Sequence, residues 1–130
     1  MSAAKSVAAA VSGSIDTAQT RDALEIFSEI AEHWGLSTDQ QINLLGSPAR
    51  STFFKWKKEG GTLPADTQER LSHIYSIYKA LEILLPDMSI ADGWMKRSNR
   101  AFAGESALER ALTGLSGVYE VRRYLDAQRG

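Results

Sequence analysis

Between Ala49 and Gly61 the chain reads ARSTFFKWKKEGG. Arg50, Lys55, Lys57 and Lys58 stand there with Phe53, Phe54 and Trp56, in a chain of 130 residues whose formal net charge is −1. Arginine can bond guanine through two parallel donors, serine can bond a base or a phosphate, and lysines neutralise phosphates. The chemistry on offer is recognition of a nucleic acid. At 100° per residue, Ala49, Thr52, Phe53 and Trp56 fall on one side of a helix. Arg50, Ser51, Phe54, Lys55, Lys57 and Lys58 fall on the other. The first set is expected in a core. The second is the expected DNA-facing set, with Arg50 and Ser51 reaching base edges and the lysines meeting phosphates. Thr52 lies on the border and is counted with the DNA-facing residues. Phe54 has two open readings: contact with a thymine methyl or sugar, or packing on a neighbouring helix or dimer partner.

Other chemistries have little to stand on. There is no cysteine, which excludes a disulfide scaffold, a thiolate metal site and a cysteine nucleophile, and suits a reducing cytosol. The two histidines, His33 and His73, lie far apart in sequence and beside apolar stripes, so structural roles are expected. Gly114-Leu115-Ser116-Gly117 superficially resembles a nucleophile elbow but lacks its spacing and its preceding strand. No glycine-rich phosphate loop follows a strand. Neither catalysis, nor a metal, nor a cofactor is expected. No apolar run is long enough to suggest a membrane span. The N-terminal MSAAKSVAAAVSGSIDTAQ is too poor in large apolar residues for a signal peptide and reads as a flexible tail. A cytoplasmic protein is expected.

The elements that must position the basic segment are helical. Leu24, Phe27, Ile30, Ala31 and Trp34 recur at three- and four-residue spacing, and Gly35 follows as a stop. Ser37 with Gln40 has the form of a capping box opening a helix with Ile42, Leu44 and Leu45, closed by Gly46. Ser47-Pro48 then reads as an N-cap and a proline at the first helical position. Two short helices joined by Leu45-Gly46-Ser47-Pro48 have the outline of a helix-turn-helix. The basic helix closes at Gly60-Gly61. After Leu63-Pro64 a longer helix runs to Leu85, stopped by Pro86. Its stripe of Leu71, Ile74, Tyr75, Tyr78, Leu81 and Leu85, widened by Ile77 and Leu84, makes it a hub between two groups of helices, or a dimer interface. Shorter helices follow through Ile90 and Trp94, through Leu108 and Leu112, and from about Ser116 onward. The fold class is all-α.

Charge is segregated along the chain. Residues 1–46 carry a net −4, residues 47–61 a net +3, residues 62–87 a net −2 and residues 88–130 a net +2. A basic patch on a near-neutral chain is a local recognition site. In the final helix Val118, Val121 and Leu125 form an inner stripe. Tyr119, Arg122, Arg123, Asp126 and Arg129 are left on other faces, with Arg122 and Asp126 spaced to pair.

The last third resembles a known domain. WMKRSNRAFAGESALERALTGLSGVYEVRRYLDAQRG, with Trp94, Ser98-Asn99, Phe102, Gly104, Ser106-Ala107-Leu108, Gly114, Val121, Tyr124 and Leu125, is similar to the toxin-binding domain of the Xre–MbcA–ParS antitoxins. Upstream, WGLSTDQQINLLGSPARSTFFKWKKEG resembles that family's helix-turn-helix, and ERLSHIYSIYKALEILLP its linking helix. Family members often have Pro-Asn where this chain has Ser98-Asn99, and proline where it has Ala107. Both changes remove a rigid φ but leave capping open to Ser106, while Asn99 is expected to bond the loop backbone.

The resemblance implies an antitoxin of a type II toxin–antitoxin module. Its partner would be a RES-domain toxin, encoded by the adjacent gene, that degrades NAD or transfers ADP-ribose from it. The toxin-binding domain would occlude the toxin's NAD pocket. The helix-turn-helix would bind operator DNA and autoregulate the operon, in a homodimer within a toxin–antitoxin hetero-oligomer. The expected organisation is a tail over 1–19, a DNA-binding region over 20–63, a linking helix over 64–86 and a toxin-binding domain over 87–130. Tyr119, Arg122, Arg123, Asp126, Arg129 and Gly130 are the expected toxin-binding residues. An NAD pocket must hold a pyrophosphate, so Asp126 or the Gly130 carboxylate can occupy its positive donors while Arg129 pairs with acidic groups. Two other readings stay open. One is a stand-alone transcriptional regulator with a ligand-sensing or dimerising C-terminal domain. The other is an interaction module that no longer binds DNA.

Overall fold

A computed structural model describes residues 17–130. Among them the chain is helical throughout. Seven α-helices follow in order: α1 (Thr17–Trp34), α2 (Thr38–Leu44), α3 (Arg50–Glu59), α4 (Ala65–Leu84), α5 (Met88–Trp94), α6 (Ala107–Ala111) and α7 (Leu115–Arg129), with a 3₁₀ turn at Arg100–Phe102. Residues 17–19, read with the tail, already belong to α1. The rest of the expected tail lies outside the described residues.

The first two junctions use the same device. Gly35 has φ +64°, its N–H donates to the Glu32 carbonyl, and the Leu36 N–H donates to the Ala31 carbonyl. Gly46 has φ +99°, its N–H donates to the Asn43 carbonyl, and the Ser47 N–H donates to the Ile42 carbonyl. These paired bonds satisfy carbonyls that a helix end would leave open. Between them the capping box forms as expected: the Gln40 N–H donates to Ser37 Oγ at 3.1 Å and the Ser37 N–H to Gln40 Oε1 at 2.9 Å.

The start of α3 differs from expectation. Ser47 is not its N-cap. Ser47 completes the stop of α2, with φ +57°, and α3 begins at Arg50 after an Ala49 cap that makes no side-chain bond. The Ile42 carbonyl claims the Ser47 N–H and holds the backbone in the turn. For the same reason Ala49, expected in the core, lies before the helix and is exposed. Phe53 and Trp56 are buried as expected, in the face that α3 packs on α1.

α4 is the hub. It packs against α7 along much of its length and also meets α1 and α5. Leu71, Ile74, Ile77, Ala80 and Leu81 are buried in it. Its first turn fixes the helix-turn-helix, because Thr67 Oγ1 donates to the Leu45 carbonyl at 2.9 Å in a buried setting. At its far end Tyr78 meets the rings of His33 and Trp34. Burial, and after it the charges of Glu82, Asp92 and Glu29, raises the pKa of the Tyr78 phenol. Lys96 Nζ donates to the Gly35 carbonyl at 2.7 Å, closing the end of α1 from the loop after α5. Asp87 caps α5 by accepting from Ser89 and Ile90, and the Ser89 hydroxyl foremost lowers its pKa. A lowered carboxylate stabilises the fold above its unfolded pKa, and that contribution fades as pH falls through the folded one.

The loop before α6 forms without the prolines that the resemblance would lead one to expect. Asn99 accepts from the Ala101 N–H at 2.9 Å, and Ser98 Oγ donates to the Gly104 carbonyl at 2.6 Å. Ser106 and Glu109 form a complete capping box. Arg110 then gathers the loop, donating to the Phe102 carbonyl at 2.9 Å and pairing with Glu105 and Glu120.

Candidate nucleic-acid and partner interfaces

The exposed face of α3 is built by exclusion. Once Phe53 and Trp56 are buried, Ser51, Phe54, Lys55, Lys57 and Lys58 must point outward, and all of them do. Thr52 is half-buried at the border. Lys55, Lys57 and Lys58 form no ion pair among the described residues. Phe54 is 43% exposed. Its ring meets Phe53 edge-on at 5.2 Å, with the Arg50 guanidinium 5.8 Å and Lys57 Nζ 5.7 Å from its centroid. It therefore stands on the cationic surface rather than against another helix of this chain. Exposed cation–ring contacts contribute roughly 0.5–1 kcal/mol each, enough to bias rotamers but not to bury the ring.

Arg50 has a partner that the sequence did not suggest. Its Nη1 donates to Asp39 Oδ1 of α2 at 2.9 Å, with both side chains exposed. The lysines also have acidic neighbours. Lys57 and Lys58 line an open groove of about 470 Å³ with Arg21, Asp22 and Glu25 of α1. The acidic and basic segments, separate in sequence, meet there. Lys55 does not line that groove.

A second surface forms on α7. Val118, Val121 and Leu125 are buried against the core. Opposite them, Ser116, Tyr119, Glu120, Arg123 and Tyr124 line an open groove of about 510 Å³ with Phe102. Tyr119 is 47% exposed, and Arg123 lies with its guanidinium 5.8 Å from that ring. Ser116 and Glu120 were missed by sequence reasoning. Their spacing with Tyr119 and Arg123, at 116, 119, 120 and 123, was a legible second stripe.

Arg122 and Asp126 are occupied internally. Arg122 Nη1 donates to His73 Nδ1 of α4 at 2.9 Å, and its Nε lies 3.5 Å from Asp126 Oδ2. Arginine has no acceptor, so His73 Nδ1 must carry the lone pair, and its Nε2–H faces Glu69 Oε2 at 3.3 Å. His73 is a buried structural histidine joining α4 to α7, with its ring 5.3 Å from that of Tyr119. Arg129 and Gly130 are exposed beyond the packed part of α7. Of the six residues expected to meet a partner, Tyr119 and Arg123 share a groove, Arg122 and Asp126 pair with each other, and Arg129 and Gly130 stand apart. Trp94 is half-buried, with its ring stacked on Tyr124 at 6.2 Å. Among the described residues no group of three or more His, Asp or Glu side chains is placed to hold a metal, and no helix is long and apolar enough to cross a membrane.

Two family models match the chain. Residues 16–74 match the antitoxin Xre-like helix-turn-helix domain, and residues 80–130 match the antitoxin Xre/MbcA/ParS C-terminal toxin-binding domain. The chain is also 60% identical over 120 residues to the uncharacterized protein y4oB of Sinorhizobium fredii (strain NBRC 101917 / NGR234), covering 92% of this chain and 93% of that protein. Fold and matches together define an antitoxin that couples a helix-turn-helix to a toxin-binding domain. The chain belongs to the Xre/MbcA/ParS antitoxin family.

Proposed function

We propose that this protein is the cytoplasmic antitoxin of a type II module whose toxin is a RES-domain enzyme that degrades NAD or transfers ADP-ribose from it. The exposed face of α3 binds operator DNA and autoregulates the operon. The outer face of α7, with Tyr119 and Arg123 at its groove and Arg129 near its end, meets the toxin and occludes its NAD pocket. Two copies act together within a toxin–antitoxin hetero-oligomer. The observation that carries this reading is the presence of two separate surfaces on one helical core. One is a row of unpaired exposed lysines, the other an aromatic and arginine groove within the region that matches a toxin-binding domain.

Co-expression with the adjacent gene tests the toxin half. The expected result is a stable complex with a RES-domain product; a neighbour of another kind, or one that does not co-purify, contradicts it. Salt titration tests the DNA half. Arg50 shares its charge with Asp39, so Lys55, Lys57 and Lys58 are the phosphate contacts. Three contacts give a log–log slope near about −2.7 per protomer. A slope near zero, or no binding at low salt, contradicts the repressor role.

A further inference from the structure

We infer that Asp39 is a specificity-determining positioning residue: it orients Arg50 so that this side chain reads a base instead of wandering to a phosphate. The inference rests on the DNA-binding reading above and deepens it. Three observations carry it. First, Arg50 Nη1 is held by Asp39 Oδ1 at 2.9 Å, while its Nε and Nη2 donors make no hydrogen bond among the described residues. Nε–H and Nη2–H are parallel donors, which suits the O6 and N7 acceptors of guanine. Second, the Phe54 ring lies 5.8 Å from the guanidinium carbon, so the plane is held from a second side. Third, Asp39 sits in the first turn of α2, which the reciprocal Ser37–Gln40 bonds lock in place. A carboxylate there is anchored to the helix-turn-helix rather than to a mobile loop.

The plainer account is that Asp39 favours the start of α2 through the helix dipole. That role needs no cation across the turn. It also leaves unexplained an exposed carboxylate beside the basic face of α3, since a free carboxylate there repels phosphates. Paired with Arg50, it trades affinity for direction. An exposed ion pair adds little to stability, so removing it leaves the fold intact.

The two accounts predict different outcomes for Asp39→Asn. The test is selection from a randomised duplex library with the full chain and with the variant. The wild-type-selected duplex and a scrambled duplex of equal composition are then titrated. The expected result is that Asp39→Asn narrows the ratio of the two affinities by about tenfold. The variant should bind the scrambled duplex about 2- to 5-fold more tightly, with a salt slope steeper by about 0.9, because Arg50 is released to a phosphate. Arg50→Ala should lose the same discrimination, and adding Asp39→Asn to it should lose no more. If Asp39→Asn strengthens both duplexes equally, Asp39 is only a repulsive charge and the inference is overturned. Additive losses in the double variant overturn it as well. If the wild type binds DNA but enriches no motif, Arg50 reads no base, and the inference fails while DNA binding stands. If the wild type binds no duplex at low salt, the DNA-binding reading itself fails.

Discussion

Replacing Lys55, Lys57 and Lys58 together with glutamate is expected to lower DNA affinity on the order of 500-fold at about 0.1 M salt. The magnitude follows from counterion release. Three phosphate contacts make the binding constant vary as about the −2.7 power of salt concentration, which is about 2.7 decades between 1 M and 0.1 M. Glutamate adds repulsion to that loss. The fold should survive, because all three side chains are exposed and make no ion pair among the described residues. Lys57 and Lys58 do lie in the last turn of α3, where cations favour the helix dipole. A stability loss of about 1 kcal/mol and a melting temperature lower by a few degrees are therefore expected. Glutamine at the same three positions should give the affinity loss without the added repulsion. Fluorescence anisotropy on a labelled operator duplex checks both. Unchanged binding by a folded triple variant would place the DNA surface elsewhere.

The second large effect is at Gly117. It is buried at the start of α7, where that helix crosses the end of α6. A Cβ there would sit 1.9 Å from the Arg110 carbonyl oxygen and 2.5 Å from Thr113 Oγ1. The obstacle is backbone, and it cannot retreat easily. The Arg110 side chain is anchored to Glu105, Glu120 and the Phe102 carbonyl. Gly117→Ala should therefore cost about 3 kcal/mol or more, at the upper end of overpacking effects. That corresponds to a melting temperature lower by on the order of 10 °C. Gly93 is the internal control. It lies within α5, is exposed, and a Cβ there would meet nothing within 4 Å. Gly93→Ala should be neutral or stabilising by about 0.5–1 kcal/mol through helix propensity. Thermal unfolding of the two variants side by side separates packing from propensity. Equal melting temperatures would show that α6 and α7 do not approach as closely as described.

What the sequence made legible was local. The Ser37–Gln40 capping box, the stops at Gly35 and Gly46, the Ser106 cap and the Asn99 loop bond all act within a few residues, so spacing alone identifies them. The burial of Phe53 and Trp56 followed from helical periodicity. Ser47-Pro48 misled because two local rules competed. Serine before proline suits a helix start, but the Ser47 N–H was already needed to end the preceding helix. The Arg50–Asp39 bond crosses that turn, and its existence depends on how α3 is set against α2. No periodicity within either helix reports that angle. The same holds for Lys57 and Lys58 beside Asp22 and Glu25, and for Arg122 turned onto His73 from 49 residues away. On α7 the outer stripe of Ser116, Tyr119, Glu120 and Arg123 was legible in principle. Arg122 and Asp126, spaced to pair, do pair, and the second partner of Arg122 is His73.

On the proposed function, one small helical core carries two recognition surfaces, and the one on α7 silences a toxin. The most direct measurement is NAD turnover by the proposed partner, a RES-domain toxin purified from the adjacent gene, titrated with this protein. The account predicts that activity falls to background as the antitoxin approaches a stoichiometric amount. It also predicts that a chain truncated after Leu125, which lacks Arg129, restores activity at least in part. Full toxin activity in the presence of several-fold excess of the intact chain would contradict the account.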